Sequence, residues 1–301
     1  MPRSTREIRR RINTVRSTQQ ITRAMEMVSV AKLRRTQTQL EAARHYTGQL
    51  EEMMGRLLAD PGVLAGGGFD PVILKGRSVV RQVVYVVIAA DRGLCGGLNV
   101  NLLRYAARVL AEEQRPYQVF CLGRKSRDFF ASRRYPLAGE IAFLGDSIDF
   151  ALARKLSRQL VDLLRRGDTD EVYVVYNQFL GPGREKPAVR KLLPLSELLR
   201  LPVAPNESET GRETLLVPSR AAVLEMLLPR VIDAEFYLLL LEAKASEHGA
   251  RMTAMHNATK NAEELIESLQ LSYNKARQAA ITKELAEIVA GAEALTQGGS
   301  L

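Results

Sequence analysis

The distribution of proline along this 301-residue chain constrains its fold more than any other feature. Eleven of the twelve prolines lie between Pro61 and Pro229, and residues 3–60 and 230–301 contain none. A proline inside a helix costs about 3 kcal/mol, so its absence permits two very long helices. At about 1.5 Å per residue, such helices exceed the width of a compact domain. We therefore predict a mixed domain inserted between two terminal helices that pair as a rod.

The two proline-free arms carry opposite net charge, which favours their pairing. Residues 3–60 include 12 basic and 6 acidic side chains, whereas residues 230–301 include 7 basic and 10 acidic ones. Opposite charges attract along paired helices. The alternative is that both arms expose solvated faces whose charge bias has no structural role.

Both arms repeat apolar residues at steps of three and four, which is typical of a helix with one buried stripe. In the first arm the predicted stripe is Ile8, Ile12, Val15, Ile21, Met25 and Val28, interrupted by polar Thr18 and Gln19. In the last arm it is Leu265, Leu269, Ala276, Ala280, Leu285 and Ile288. We expect Asp60 to Gly62 to end the first helix. We expect Ser219 to cap the last arm, which resumes past Pro229.

The middle of the chain alternates strand and helix patterns, which predicts a doubly wound, Rossmann-like α/β domain. The strongest segment, residues 79–90, is almost uninterrupted in β-branched residues, as in a buried parallel strand. The other predicted strands are 117–122, 171–179 and 189–193, and the predicted helices are 99–113, 126–133 and 147–165. Residues 181–187 and 202–211 are predicted to be loops.

The glycine-rich segment 91–97 (DRGLCGG) follows a predicted strand and precedes a helix, where α/β domains bind ligands. It matches neither GxxxxGK[ST] nor GxGxxG, so a tight structural turn is favoured over a phosphate loop. The three histidines, His45, His248 and His256, have no carboxylate at ligand spacing. We therefore expect no catalytic site, no metal and no cofactor.

Two widely spaced cysteines, Cys95 and Cys121, indicate reduced structural thiols and a cytoplasmic compartment. The Arg-rich N-terminus lacks the apolar core of a secretory signal and is expected to belong to the mature fold. The basic first arm leaves a nucleic-acid binder or a basic coiled-coil scaffold as an alternative function. A small-ligand α/β enzyme is a third possibility, and it rests on the glycine-rich turn alone.

Three groups of segments together resemble the gamma subunit of F-type ATP synthases, in order from end to end. The N-terminal segments are 8–12, 20–28 and 31–34, the central segment is 91–99, and the C-terminal segments are 245–252, 273–282 and 284–292. The resemblance implies a long antiparallel coiled coil of the N- and C-terminal helices plus an inserted Rossmann-like α/β domain. The implied domains are residues 1–60, 70–210 and 219–295. The tail 296–301 extends past the resemblance.

The resemblance also implies the function. The chain would be the central-stalk rotor, a non-catalytic subunit that couples proton flow to ATP synthesis or hydrolysis in the beta subunits by rotation. Its partners would be the alpha and beta subunits, the epsilon subunit and the membrane ring of c subunits, at the cytoplasmic face of the bacterial cell membrane. Implied contacts with the ring of alpha and beta are Arg277, Gln278 and Thr282, with Met25 at the same level. Ile288, Val289 and Ala292 would run in an upper bearing.

Overall fold

A computed structural model describes residues 3–58, 70–195 and 219–298 of the chain. Helix α1 spans Arg3–Leu58, and the last helix, α6, spans Arg220–Gly298. The expected end of α1 at Asp60 to Gly62 lies outside the described residues, as does the predicted loop 202–211. The two long terminal helices confirm the fold class predicted from the prolines.

The chain divides into two compact units. The first, which we call the coiled-coil unit, comprises Met1–Val28 and Met252–Leu301. The second, the α/β unit, comprises Ser29–Arg251. Both terminal helices contribute to each unit, so the inserted domain shares its core with parts of the two helices.

The α/β unit alternates short helices and strands between the two long helices. In chain order these are α2 (Pro71–Lys75), β1 (Val83–Ile88), α3 (Leu98–Glu112), β2 (Tyr117–Leu122), α4 (Arg124–Ser132), β3 (Leu137–Ile141), α5 (Phe150–Arg166), β4 (Glu171–Gly181) and β5 (Arg184–Leu193). They form one five-stranded sheet in the order β3-β2-β1-β4-β5. The first four strands are parallel, and β5 is antiparallel to β4.

Strand β1 lies at the centre of the sheet, and all six of its residues are buried. One face of the sheet packs against α3 and α4. Its core includes Val83, Tyr85, Val87, Leu102, Leu110, Val119 and Phe130. On the other face, Ile88 lines a small cavity together with Leu240 of α6. Because both faces are covered, β1 is apolar throughout rather than alternating, as predicted from its sequence.

Helix α6 is buried on almost every side between Val231 and Ala250. It begins at the predicted cap, where the backbone N–H of Ala222 donates to the Ser219 hydroxyl at 3.2 Å. The expectation that the helix resumes only past Pro229 is wrong, because Pro229 lies inside α6. Fully buried neighbours such as Val231 and Phe236 supply packing that outweighs the roughly 3 kcal/mol helical cost of proline.

Two further differences concern the sheet. The predicted loop 181–187 is wrong, because Gly181 and Gly183 turn β4 directly into β5, which already begins at Arg184. Pro187 made this segment look irregular, but an edge strand tolerates proline. Strand β3 was not predicted, since its sequence LAGEI has only one β-branched residue.

Gly123, between β2 and α4, has a positive φ of 90° and lies against the backbone that follows β1. A Cβ atom there would come within 2.0 Å of the carbonyl oxygen of Ala89. This glycine therefore allows α4 to start directly beside the end of β1.

We expect Gly123→Ala to lower the free energy of unfolding by about 3 kcal/mol, from the clash and the strained φ together. Gly93→Ala is the matched control, since a Cβ there meets no atom within 4 Å. Urea unfolding of both variants tests this, and equal stabilities would contradict it.

Candidate functional site

In the coiled-coil unit, the inward-facing residues of α1 follow a strict three-four repeat. The positions are Thr5, Ile8, Ile12, Val15, Gln19, Thr22 and Glu26, all of them buried or half-buried. The matching positions of α6 are Met255, Thr259, Ala262, Ile266, Leu269, Tyr273, Ala276 and Ala280. A sustained three-four spacing keeps one stripe of each helix facing its partner, which is the geometry of a coiled coil.

Part of the predicted stripe is wrong. Ile21 and Val28 are 60% and 53% exposed, and Leu265, Leu285 and Ile288 also face outward. The repeat runs from Val15 through Gln19 and Thr22, so Gln19, expected to interrupt the seam, is part of it, whereas Thr18 is exposed. The seam of α1 between positions 19 and 26 is thus polar, with apolar side chains outside.

Two hydrogen bonds across the seam fix its register. The Thr22 and Thr259 hydroxyls lie 2.8 Å apart, and His256 Nδ1 lies 3.0 Å from Glu26 Oε1. The α6 number falls as the α1 number rises, so the two helices are antiparallel. Continuing this register places Arg3, where the described part of α1 begins, level with about residue 278 of α6.

Helix α6 therefore extends beyond the level at which the described part of α1 begins. All residues from 281 to 290 are exposed, whereas earlier residues such as Ile266 are buried. Within the described residues, positions 281–290 of α6 form an exposed helical segment with no residue of α1 level with it, and we call this segment the overhang.

Of the predicted contact residues, Thr282 lies on this overhang, and Arg277 and Gln278 lie in the helical turn before it. Arg277, Gln278 and Thr282 are all exposed. Met25 is half-buried, and its neighbour Glu26 contacts His256. His256 is 21 residues from Arg277, about 30 Å along the helix. The expectation that Met25 lies at the level of Arg277 is therefore wrong.

The predicted bearing residues lie on or just past the overhang. Ile288 and Val289 are 67% and 56% exposed, and Ala292 is also exposed. Ile281 and Leu285 add to the same exposed apolar set. These side chains are available to an enclosing partner.

In the α/β unit, the glycine-rich turn is held by structural hydrogen bonds. The Asp91 carboxylate accepts from the backbone N–H groups of Arg124, Leu144 and Gly145 at 3.0–3.2 Å. The cavity lined by Ala90 and Leu98 measures about 10 Å³, room for about one water. A carboxylate aimed at these donors and so small a cavity favour the structural turn over a phosphate site.

The same turn is joined to α6. The Arg251 guanidinium donates to the Gly93 carbonyl at 3.4 Å and to Glu247 at 2.8 Å. Lys244 donates to the other oxygen of Glu247 at 2.8 Å. Burial opposes ionisation of Glu247, yet the two cations hold its pKa below the usual range. We call Lys244, Glu247 and Arg251 the buried triad.

The cysteines and histidines have structural surroundings. Cys95 and Cys121 are buried free thiols, and burial raises the pKa of Cys121 to about 12. His248 is buried and lies 3.3 Å from the Asp146 carbonyl oxygen, and burial lowers its pKa. The burial of His248 inside the α/β unit excludes a solvated imidazole. Within the described ranges, no group of three His, Cys, Asp or Glu side chains is placed to hold a metal ion.

Comparison with known proteins decides the family. The family model described as ATP synthase matches residues 4–295. An ATP synthase gamma chain of Symbiobacterium thermophilum is 46% identical over 98% of this chain and 99% of its own length. One from Moorella thermoacetica is 48% identical over 96% and 98%. The chain belongs to the ATP synthase gamma chain family.

Solved structures share the fold of this gamma chain. A chain of the mitochondrial ATP synthase from Euglena gracilis matches with a TM-score of 0.68 and 20% identity, covering 99% of this chain and 96% of its own. A chain from the central stalk and c-ring of the Tetrahymena thermophila enzyme matches with a TM-score of 0.59 and 24% identity, covering 79% and 99%. The gamma chain is the rotor of the central stalk. None of its described helices is long and apolar enough to cross a bilayer.

Sequence reasoning missed two features of this gamma chain. The polar seam could have been found by continuing the three-four spacing through Gln19 and Thr22 instead of following apolar residues. The buried triad had a signal too, since Lys244, Glu247 and Arg251 are three and four residues apart on one helix. Sequence alone does not show that this helix face is buried.

We expect Glu247→Gln to lower the free energy of unfolding by about 3–5 kcal/mol, because Lys244 and Arg251 would stay buried without their counter-ion. Glu264→Gln, at an exposed position of the same helix, is the control. Urea unfolding at neutral pH measures both. A loss no larger than that of the control would show that the triad is not a stabilising element.

Proposed function

We propose that torque passes between this rotor and the ring of alpha and beta subunits through the exposed end of α6. The observation that carries the proposal is the overhang, which no described residue of α1 accompanies. ATP would be made or hydrolysed in the beta subunits, and this chain would be a non-catalytic subunit that couples their reaction to proton flow by rotation.

Arg277, Gln278 and Thr282 are proposed as the contact residues at the base of the overhang. All three are polar and exposed, and they project where the coiled coil gives way to one helix. Solvated ion pairs contribute only about 0–1 kcal/mol each, so contacts of this kind can form and break as the shaft turns. Met25 is proposed as a second contact, about 30 Å nearer the middle of the shaft.

Ile288, Val289 and Ala292 are proposed to run in an apolar sleeve at the top of the ring. Ile288 and Val289 are large apolar side chains exposed on a bare helix. An enclosing partner would remove them from water, and non-directional apolar contact does not favour one rotational angle over another.

The remaining partner assignments follow the family. The α/β unit would contact the epsilon subunit and the ring of c subunits, and the chain would be peripheral at the cytoplasmic face of the bacterial membrane. The Tetrahymena thermophila structure that shares this fold contains the central stalk with the c-ring. We propose that segments 1–60 and 219–295 serve the shaft, and 70–210 its base.

Reconstitution tests the rotor proposal. Mixed with alpha and beta subunits, the chain is expected to form a complex with ATPase activity, while the purified chain alone hydrolyses no ATP. Failure to assemble, together with salt-sensitive DNA binding, would favour the basic nucleic-acid binder instead. Turnover by the chain alone would favour the small-ligand enzyme.

With that complex bound to vesicles that contain the membrane sector of the synthase, we expect Arg277→Ala to reduce ATP-driven proton pumping about two- to fivefold with assembly unchanged, because one exposed charge contact is lost. Lys275→Ala is the control, as it removes an exposed cation from another side of the same turn. Pumping is measured in vesicles and assembly by gel filtration. Equal pumping by the two variants would remove Arg277 from the torque path.

A further inference from the structure

Three carboxyl groups and two guanidinium groups meet where α1, α6 and β5 pack together in the α/β unit. Glu235 and Glu242 lie on α6, Glu51 and Arg44 on α1, and Arg190 on β5. The Glu235 and Glu242 side chains are only 7% and 8% exposed. We call these five residues the carboxyl cluster.

Arg190 contacts two of the carboxyl groups at once. Its Nη2 atom lies 3.1 Å from both oxygens of Glu235 and 3.7 Å from Glu51 Oε1. One guanidinium nitrogen therefore lies between a buried carboxyl group and a half-buried one from a different helix. Two carboxylates that close to a single cation repel each other when both are ionised.

Arg44 is already engaged with the third carboxyl group. Its Nη2 atom lies 2.7 Å from Glu242 Oε1. The other oxygen, Glu242 Oε2, is buried and has no hydrogen-bond partner within the described residues. Arg44 is therefore not free to neutralise Glu235 or Glu51. Tyr176 on β4 also faces Glu235, Glu242 and Arg190, and burial raises its pKa to about 12, so it stays neutral.

We propose that the carboxyl cluster is a proton-binding site, in which Glu235 holds one proton at neutral pH and shares it with Glu51 through a hydrogen bond. Fully ionised, three carboxylates and two guanidiniums leave one net negative charge beside the buried Glu235 and Glu242, which is costly. One bound proton makes the cluster neutral and supplies a hydrogen bond between the two carboxyl groups.

The direction of the Glu235 titration agrees with this site. Burial, followed by the hydrogen bond with Glu51, raises the pKa of Glu235 to about 8, even though the positive charge of Arg190 lowers it. A group whose pKa is higher in the folded than in the unfolded chain stabilises the fold at low pH. That stabilisation is fully present below about pH 4.5 and is lost as pH rises to about 8.

Loss of the proton would weaken the contact of α1 with α6 and β5. Glu51 sits beside Leu50 and close to Met54, which pack in the core near the end of α1. Repulsion between Glu51 and Glu235 acts directly on that turn. The cluster thus makes the attachment of the last turns of α1 sensitive to alkaline pH.

The test compares the full-length chain with Glu235→Gln, which keeps the shape of the side chain but cannot lose a proton. Relative to this variant, the folding equilibrium of the unmodified chain is expected to weaken by up to about tenfold per pH unit between pH 5 and 8. Glu225→Gln, exposed on the same helix, is the control and should keep the pH dependence of the unmodified chain. Parallel curves for all three proteins would overturn the proposal.

A second measurement does not depend on the folding of Glu235→Gln. Carbon-13 NMR of the glutamate carboxyl groups in the unmodified chain should show one that titrates near pH 8. In Glu51→Gln this midpoint should move toward the ordinary value, because one negative neighbour is gone. If every glutamate carboxyl titrates in the ordinary range, there is no shared proton. Both experiments use the isolated chain, so their outcome is independent of the rotor role.

Discussion

The burial of α6 between Val231 and Ala250 is the constraint on which the α/β unit depends. A helix surrounded on all sides must satisfy every polar side chain within the protein, and this one carries several charges. Three of its carboxylates are paired with nearby cations: Glu247 with Lys244 and Arg251, Glu242 with Arg44, and Glu235 with Arg190. The partners come from α1, from β5 and from α6 itself, so the charges tie these elements to specific positions where apolar packing alone would let them slide.

The coiled-coil unit uses the opposite arrangement. Its seam contains Gln19, Thr22 and Glu26 in place of a continuous apolar stripe, and Ile21 and Val28 face outward. A polar residue at a seam position lowers stability and fixes register. The Thr22 to Thr259 and Glu26 to His256 contacts do this here. The two helices of the coiled-coil unit therefore bury less apolar surface between them, and the polar contacts give their outer faces a defined alignment.

The fold was predictable from the sequence because its strongest signals are long-range and coarse. The absence of proline predicted both terminal helices, and the apolar sequence of strand β1 predicted a doubly wound sheet. Residues whose burial depends on tertiary contacts were not predictable. Pro229 is compatible with a helix only because its neighbours are buried. Pro187 is compatible with a strand only because β5 is at an edge. Ile21 and Val28 were predicted to be buried because they are apolar, whereas the buried positions of the seam follow the three-four spacing. Likewise, the level of Met25 relative to Arg277 depends on the register between α1 and α6, and the sequence of neither helix determines that register by itself.

The exposed end of α6 has a consequence for the subunit before it is assembled. An isolated helix of about ten residues is marginal in water, because little holds its ends together against fraying. Residues 281–290 owe their helical form to the paired segment that precedes them. Before assembly this end exposes Ile281, Leu285, Ile288 and Val289 to water. A protease that cleaves frayed helices would therefore cut the unassembled chain here more readily than the assembled one. The segment proposed to contact the ring would thus also mark a subunit that has not yet assembled.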